Sequence, residues 1–334
     1  MKRVAVVLLN FNGLELLKKF LERTILYSAE ADLVLIDNCS TDNSVSWFKS
    51  KYPNLLCIQL DKNYGYAGGY NKGLKYVKNK YYALLNTDLI VTKNWLNPII
   101  KKLETSSKIG VIQPHILDFN NKNYFEYAGA AGGYIDKYGF PYCRGRILRT
   151  AEVDKGQYNL PKEIFWASGA CFVIKSKLFW ELNGFDSDFF AHQEEIDLCW
   201  RIFNRNYKIY AIGESKVYHI GGATLPKSPN KTYLNHRNSL FMLIKNLPNK
   251  NKFNILIVRL LIDYSIIFYY LFSLKLLNIV SIFRAHIIFY TSFRKFDNKE
   301  IKVIKKSDYF KHKSILYGYF VRGHAYFGDL KHKN

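Results

Sequence analysis

Short apolar runs alternate with amphipathic stretches through the first third of the chain, and no other feature constrains its fold as strongly. Residues 4–9, 33–37, 55–60, 82–85 and 109–112 read as buried strands, and between them residues 14–27, 43–51, 67–78 and 94–103 carry apolar side chains at helical spacing. Strands alternating with helices predict an α/β fold built on a mainly parallel sheet, with right-handed crossovers and helices on its faces. In such a sheet ligands sit beyond the carboxyl ends of the strands, so function should be written in the residues that follow each strand.

Those residues are polar and specific. After the first strand comes Asn10-Phe11-Asn12-Gly13, which has no G-x-G-x-x-G pattern, and no G-x-x-x-x-G-K-[ST] loop occurs anywhere. A dinucleotide fingerprint and a P-loop are therefore both disfavoured. After the second strand stands Asp37-Asn38-Cys39-Ser40-Thr41-Asp42-Asn43-Ser44. Asp42 is placed to cap the next helix, whereas Asp37, an acid at the tip of an apolar strand, needs a polar partner such as a base or a sugar. The third strand leads into Asn63-Tyr64-Gly65-Tyr66-Ala67-Gly68-Gly69-Tyr70-Asn71-Lys72-Gly73. That glycine-rich turn suits either an anion at a helix N-terminus or close helix packing. After the fourth strand comes Asn86-Thr87-Asp88, where a carboxylate is suited to holding a hard divalent cation against a diphosphate.

The second half adds one dense acidic cluster. Glu194, Glu195 and Asp197 fall within four positions beside Phe189, Phe190, Ile196, Leu198 and Trp200. Partial burial and mutual repulsion would raise such carboxyls toward the range of a general base, although the same residues also fit the solvated first turn of a helix.

Composition limits the partners. The 334 residues are 49% hydrophobic, enough for a large core, and the formal net charge is +22. From Lys245 onward 17 Lys and Arg face 5 Asp and Glu, so this last quarter holds +12 of the excess, and it also contains the most apolar segment, 253–293. Basic charge beside aromatic-rich apolar sequence suits an anionic membrane surface. Arg259, Asp263, Lys275 and Arg284 interrupt each window long enough to span a bilayer, and Arg259 and Asp263 stand one helical turn apart. The reading is of one or two amphipathic helices at the membrane interface, or against the main domain or a second subunit. The apolar run after Met1-Lys2-Arg3 is shorter than a signal peptide's and reads as a strand. Five cysteines without a C-x-x-C pair fit reduced thiols.

Taken in order, Val6-Val7-Leu8-Leu9-Asn10-Phe11-Asn12-Gly13, Ile36-Asp37-Asn38-Cys39-Ser40-Thr41-Asp42, the 63–71 turn, Leu85-Asn86-Thr87-Asp88, Ser168-Gly169-Ala170-Cys171 and the acidic cluster resemble glycosyltransferase family 2, in its bacterial rhamnosyltransferase-like branch. His219 after Lys216-Val217-Tyr218 and the element Asn235-His236-Arg237-Asn238 extend the resemblance over residues 3–245. It implies a GT-A fold in residues 1–245, followed by a basic helical region in 246–334. It also implies inverting sugar transfer from a nucleotide diphosphate sugar, with dTDP-L-rhamnose favoured and galactofuranose, glucose or mannose donors as alternatives.

Carried over residue by residue, the resemblance puts Asn10, Asn12, Asp37, Asn38, Asn63, Gly68, Asn71, Asn86, Thr87, Asp88 and Arg237 around the donor, with Asp37 at the base and Arg237 helping at the diphosphate. Asp88 would hold Mg2+ or Mn2+, and His219 is a further metal ligand unless local hydrogen bonds occupy it. Trp166, Ser168, Gly169 and Asp197 would lie toward the acceptor, with Tyr127 beside them and Trp166 equally suited to the core. The family's D-x-D-like element reads Asn86-Thr87-Asp88 here, one charge fewer, and its Glu-Asp pair reads Glu194-Glu195, which makes Glu195 the expected base and Glu194 its alternative. Residues 124–146, with Gly129, Gly132, Gly133, Gly139 and Gly145, read as a mobile lid.

The expected partners are the nucleotide sugar, a glycan or lipid-linked acceptor and the inner face of a bacterial membrane, approached from the cytoplasm. A homodimer through the C-terminal helices is the alternative use of that surface. Nucleic acid is not expected, because the charge sits in an apolar region without a recognition motif. A catalytically idle sugar-nucleotide scaffold would keep Asp37 but would have no use for Glu195, Asp88 and His219 together.

Overall fold

A computed structural model describes residues 1–221, 228–297 and 309–330, with the side chains of 249–251 excepted. The chain begins with β1 (Val4–Asn10), α1 (Leu14–Leu26), β2 (Asp32–Asp37), α2 (Ser44–Lys51), β3 (Leu56–Gln59), α3 (Gly65–Gly73), β4 (Tyr81–Asn86), β5 (Leu89–Val91), α4 (Leu96–Glu104) and β6 (Ile109–Asp118). Four short strands follow: β7 (Gly133–Ile135), β8 (Pro141–Cys143), β9 (Arg146–Ile147) and β10 (Thr150–Ala151). Then come β11 (Lys162–Ile164), β12 (Cys171–Lys175), α5 (Ser176–Glu181), α6 (Glu194–Asn204) and β13 (Lys208–His219). Helices α7 (Pro229–Asn246), α8 (Asn249–Phe272), α9 (Leu276–Asp297) and α10 (Ile315–Arg322) complete the described chain.

The main sheet runs β11-β13-β6-β12-β4-β1-β2-β3, with β5 added on β13. Its N-terminal half, β4-β1-β2-β3, is parallel as the alternation predicts. The rest is mixed: β12 enters antiparallel between β4 and β6, β11 and β5 are antiparallel to β13, and β13 is parallel to β6. The first-third rhythm carries no information about these later strands.

Strand β1 is buried on both faces, which explains its unbroken apolar run. Val4, Val6 and Leu8 face one core with Leu17 and Leu21 of α1, Phe48 of α2 and Leu96, Ile99 and Leu103 of α4. Ala5 and Val7 face the other, with Tyr70 of α3, Leu198 and Ile202 of α6, and the four-stranded sheet.

Residues 124–146 do not form an exposed lid. They build most of the second, antiparallel sheet β7-β8-β9-β10, whose Tyr142, Cys143 and Ile147 are fully buried. Gly133 exchanges backbone hydrogen bonds with Phe165 and Trp166, tying this sheet to the main body. The glycines mark its tight turns: Gly129, Gly132, Gly139 and Gly145 all have positive φ.

Helices α8 and α9 are each long and apolar enough to cross a bilayer by length and composition, in 252–272 and 276–297, although the sequence offers no clean window. Helix α7 packs between α6 and α9, and Phe241 of α7 stacks on Phe296 of α9 with ring centroids 3.8 Å apart. Part of the C-terminal basic excess, at 298–308 and 331–334, lies outside the described residues.

Candidate active site

Register brings the strand-end motifs together. Asn10 lies opposite Asp37, Leu9 lies opposite Asn86, and the Asn86 N–H donates to the carbonyl of Ala170 at 3.0 Å. Asn10 donates its amide to Asp37 Oδ1 at 2.9 Å and to Ser44 Oγ at 2.9 Å. Asp37, 1% exposed, also accepts the Ser40 backbone N–H and hydroxyl at 2.9 and 2.5 Å. Asn12, in the left-handed region at φ 51°, accepts the Thr41 N–H at 2.8 Å. The first two strand-end loops are thus one hydrogen-bonded unit. Thr87 is buried beside it: a Cβ on Gly13 would lie 3.7 Å from Thr87 Oγ1 and 2.4 Å from Asn10 Oδ1. Asn10 Oδ1 has no hydrogen-bond partner among the described residues.

Asn38 holds the next loop. Its amide donates to Asn63 Oδ1 at 2.9 Å and to the Gly65 carbonyl at 3.0 Å, while its Oδ1 accepts the Tyr64 N–H at 3.0 Å. Gly68 is buried on α3 against Tyr64. Asn71, at the far end of α3, clamps Phe185 from both sides, donating to its carbonyl at 2.7 Å and accepting its N–H at 3.0 Å. It also reaches the Ser187 hydroxyl at 3.2 Å. The segment it fixes leads directly into the acidic cluster.

That cluster is not a solvated helix turn. Glu194 is 3% exposed at the start of α6, and Glu195 keeps partial exposure. Burial, then the charge of Glu195, pushes the Glu194 carboxyl well above the usual range. Burial also raises Glu195, to about 7, against the opposing hydrogen bonds of nearby backbone groups that include Ile196 and Gly169. His192 is pushed down to about 4 by burial. Phe190, His192 and Gln193 have φ of 62°, 70° and 71°, a concentration of left-handed residues that marks backbone strain held by its surroundings. His192 Nε2, Gln193 Oε1, Glu194 Oε2 and Glu195 Oε2 are buried polar atoms without a hydrogen-bond partner among the described residues, an unusual density for four consecutive positions.

The loop preceding β12 meets these residues. A Cβ on Gly169 would stand 3.7 Å from Glu195 Cβ and 3.3 Å from the Tyr66 hydroxyl, which donates to the Gly169 carbonyl at 2.6 Å. Ser168 N–H donates to Gln113 at 2.7 Å, and its hydroxyl to the Ala128 carbonyl. Trp166 lies behind, 4% exposed, with its indole N–H on the Tyr134 carbonyl at 2.8 Å. Asp197 faces the core, its oxygens 2.8 Å from Arg201 Nε, Lys245 Nζ and Asn246 Nδ2. Arg237 sends its guanidinium to the carbonyls of Asp188 and Phe189, each at 3.0 Å, so the structure places it on the loop behind the acidic pair.

Asp88 and His219 form the second centre, 2% and 4% exposed, with His219 Nε2 3.0 Å from Asp88 Oδ1. Glu126 lies on the other edge of the imidazole, 3.4 Å from Nδ1. Burial alone would lower His219, but the Asp88 and Glu126 carboxylates beside its two ring nitrogens hold it up to about 10. The donor set fits a hard cation: two cis ligands of an octahedral ion, each about 2.1 Å from it, stand about 3 Å apart. Among the described residues no three His, Cys, Asp or Glu side chains converge on one point, so other oxygens would have to complete the shell. Mg2+ is usually held in this way, by one or two protein ligands with substrate phosphates and water.

Sequence reasoning did not assign Tyr66, Glu126 or Asn238. A signal existed for Glu126, an acid inside the aromatic run Tyr124-Phe125-Glu126-Tyr127, as unusual as Asp37 at its strand tip.

A mixed sheet whose ligand-facing edge gathers an Asn-Asp pair, a buried Asp-His centre and a buried acidic pair defines a GT-A-like fold. The family model of glycosyl transferase family 2 matches residues 5–182, and the chain belongs to that family. It is 25% identical over 211 residues to the low-salt glycan biosynthesis hexosyltransferase Agl10 of Haloferax volcanii, covering 62% of this chain and 63% of that protein. It is 19% identical over 226 residues to the N-acetylglucosaminyl-diphospho-decaprenol L-rhamnosyltransferase of Mycobacterium tuberculosis, covering 64% and 74%. Among solved structures it resembles GalNAc-T7 with UDP, GalNAc and Mn2+, at a TM-score of 0.57 and 17% identity over 73% of this chain and 48% of that one. It also resembles the Pyrobaculum calidifontis mannosyltransferase PcManGT in complex with GDP-Man and Mn2+, at a TM-score of 0.51 and 15% identity over 87% and 75%. The chain therefore spans less than two thirds of the Haloferax relative and about half of GalNAc-T7.

Proposed function

We propose that this protein transfers a sugar from a nucleotide diphosphate donor to a hydroxyl of a saccharide or lipid-linked glycan, with inversion, and that Glu195 is the base. The observation that carries this reading is the Glu194–Glu195 pair, buried at the start of α6 beside Gly169 and raised so that Glu195 titrates at about 7. A base works best with a pKa near the operating pH and with access to its proton. Glu195 titrates near that pH and keeps partial exposure, whereas Glu194 is enclosed.

Glu195 takes the acceptor proton as the acceptor oxygen attacks the anomeric carbon, and the nucleotide diphosphate leaves from the opposite face. Asp37, Asn10, Asn12, Asn38 and Asn63 line the nucleotide side, with Asn86 and Thr87 between it and the base. A divalent cation held by Asp88 and His219 would offset charge on the departing diphosphate. Ser168 and Gly169 face the acceptor. Trp166, Asn71 and Arg237 act through the backbone they hold, and Asp197 through its ion pairs with Arg201 and Lys245 behind the base.

The Mycobacterium relative's name supports L-rhamnose as the sugar and a lipid-linked acceptor, and with them goes our reading of dTDP-L-rhamnose as donor at the cytoplasmic face of the membrane. The UDP and GDP-Man in the structural relatives keep other donors in view. The test is a panel of dTDP-rhamnose, UDP-galactofuranose, UDP-glucose and GDP-mannose, each with Mg2+ or Mn2+, scored for a rise in melting temperature and for donor hydrolysis. No stabilisation by any donor would overturn the pocket, and full transfer activity in Glu195→Gln would overturn the base.

A further inference from the structure

Glu126 is an enclosed carboxylate whose one ion-pair partner among the described residues is a histidine. It is 5% exposed, follows β6 and takes the Ala128 N–H on Oε2, the oxygen that lies 3.4 Å from His219 Nδ1. Its Oε1 fills the space beside Gly221, where an added Cβ would stand 2.8 Å away on a backbone with φ of +72°. Among the described residues no ion pair links Glu126 to a Lys or Arg. Among the described residues its carboxylate, kept out of water, meets one backbone N–H and one imidazole, a costly placement for a charge that does not serve that imidazole.

The three groups lie in a row. Asp88 Oδ1 is 3.0 Å from Nε2 of His219, and Glu126 Oε2 is on the Nδ1 side. They do not converge as a three-ligand cluster. This separates their roles, one carboxylate beside the nitrogen that can ligate and the other behind the ring. A carboxylate in that outer position fixes the ring's orientation and tautomer and raises its basicity as a ligand.

We propose that Glu126 is the positioning residue of the Asp88–His219 centre: it holds the Nδ1–H edge of His219 so that Nε2 presents its lone pair to the cation shared with Asp88. This rests on the reading of Asp88 and His219 as cation ligands. Glu126 touches neither the cation nor the donor, and its effect reaches them only through the imidazole.

The test is Mn2+ alone bound to the full chain, measured by the loss of the free-ion electron paramagnetic resonance signal, without nucleotide or turnover. Asp88→Ala and His219→Ala are expected to abolish the binding seen in wild type. Glu126→Ala is expected to weaken it about 10–100-fold. Glu126→Gln keeps an acceptor oxygen for both Ala128 N–H and Nδ1–H and should stay within a few-fold of wild type. Wild-type affinity in Glu126→Ala, with the other two variants impaired, overturns the role of Glu126 alone. Unchanged affinity in all three overturns the cation reading and this inference with it. A loss in Glu126→Gln as large as in Glu126→Ala also overturns the positioning role, because charge would then matter and orientation would not. Should Glu126→Ala fail to fold, the imidazole 15N shifts of His219 in the Mg2+-loaded wild type decide: protonated Nδ1 is expected, and protonated Nε2 overturns the proposal.

Discussion

The side-chain amide of Asn238 donates to the carbonyl of His192 at 2.7 Å and lies 2.8 Å from the carbonyls of Phe189 and Ala191. Its two hydrogens are shared among three acceptors, so one α7 residue holds most of the strained turn before the acidic pair. Removing it leaves buried carbonyls unpaired at a cost of about 1–3 kcal/mol. Asn238→Ala should lose stability of that order in urea unfolding and lower kcat with little change in donor KM. Unaltered kcat in a destabilised variant would mean that the turn is set by other contacts.

The same pair sets a pH dependence with two opposite readouts. Burial raises both carboxyls above their unfolded values, so the contribution of each to stability is full below the ordinary carboxylate range and is lost as pH rises to its own raised value, about 7 for Glu195. Activity runs the other way, because the base must be ionised, and kcat should climb through about pH 7. Glu195→Gln should melt higher than wild type at pH 8 but not at pH 5, and lower kcat by about 100- to 10,000-fold. A flat activity profile from pH 5.5 to 8 in wild type would contradict the assignment.

Gly65 seats the same loop from the α3 side. Its φ is +70°, and an added Cβ would meet the Phe190 carbonyl at 2.5 Å, next to the hydrogen bond from Ala67 N–H to that oxygen at 3.1 Å. A left-handed non-glycine residue costs about 1–3 kcal/mol, and here the clash adds to it. Gly65→Ala should therefore destabilise by at least that amount and reduce transfer, whereas Gly156→Ala, at φ +81° with only the Asn159 side chain nearby, should lose stability without losing kcat. Equal losses of kcat in both variants would separate Gly65 from the site.

Behind α6, Lys245 Nζ lies 2.8 Å from Asp197 and 2.8 Å from Asp186. Burial would raise the Asp197 carboxyl, but Lys245 and Arg201 together hold it below its usual value. Its contribution to stability is thus present above the ordinary carboxylate range and is lost as pH falls through the lowered folded value. Lys245→Met removes one partner of a buried pair and should cost about 3–5 kcal/mol, read by chemical denaturation at pH 7. A loss below 1 kcal/mol, on the order of a surface pair, would place the charges in solvent.

What the sequence made legible follows from where the signals lie. Strands β1, β2 and β4 are buried on both faces, so they appear as unbroken apolar runs, and the polar residues at their tips stand out. Burial of the acidic pair could not be read from spacing, since Glu194 and Glu195 fit an exposed first turn equally well. Strands β7 to β10 are two or three residues long, too short for a period-two pattern, so their glycines suggested a lid and hid Glu126 beside them. Arg237 and Asn238 bind backbone carbonyls 46 to 49 residues away, a relation that exists only once α7 has docked.

The C-terminal helices show how charges that interrupt a sequence window need not interrupt a surface. Arg259 Nε meets Asp263 at 3.1 Å, and Asp263 turns inward to His236 and His286, so these polar groups are buried. The outer face is left to Phe253, Leu261, Phe268 and Phe272 of α8 and to Leu277 and Ile287 of α9, all at least 60% exposed. Deleting everything after Pro248 is a poor test of membrane binding, because it would strip Phe296 from Phe241 and uncover α7. Substituting Phe268, Phe272 and Leu274 with Ser leaves those contacts alone. Each fully buried apolar side chain contributes about 1.5–3 kcal/mol, so even partial insertion predicts that the triple variant partitions at least on the order of tenfold more weakly into vesicles containing phosphatidylglycerol. Its melting temperature should match wild type, and high salt should weaken wild-type binding further through the basic residues nearby. Unchanged partitioning would remove the membrane role from this face. Loss of a wild-type dimer in the variant, by sedimentation, would assign the face to a second copy of the chain.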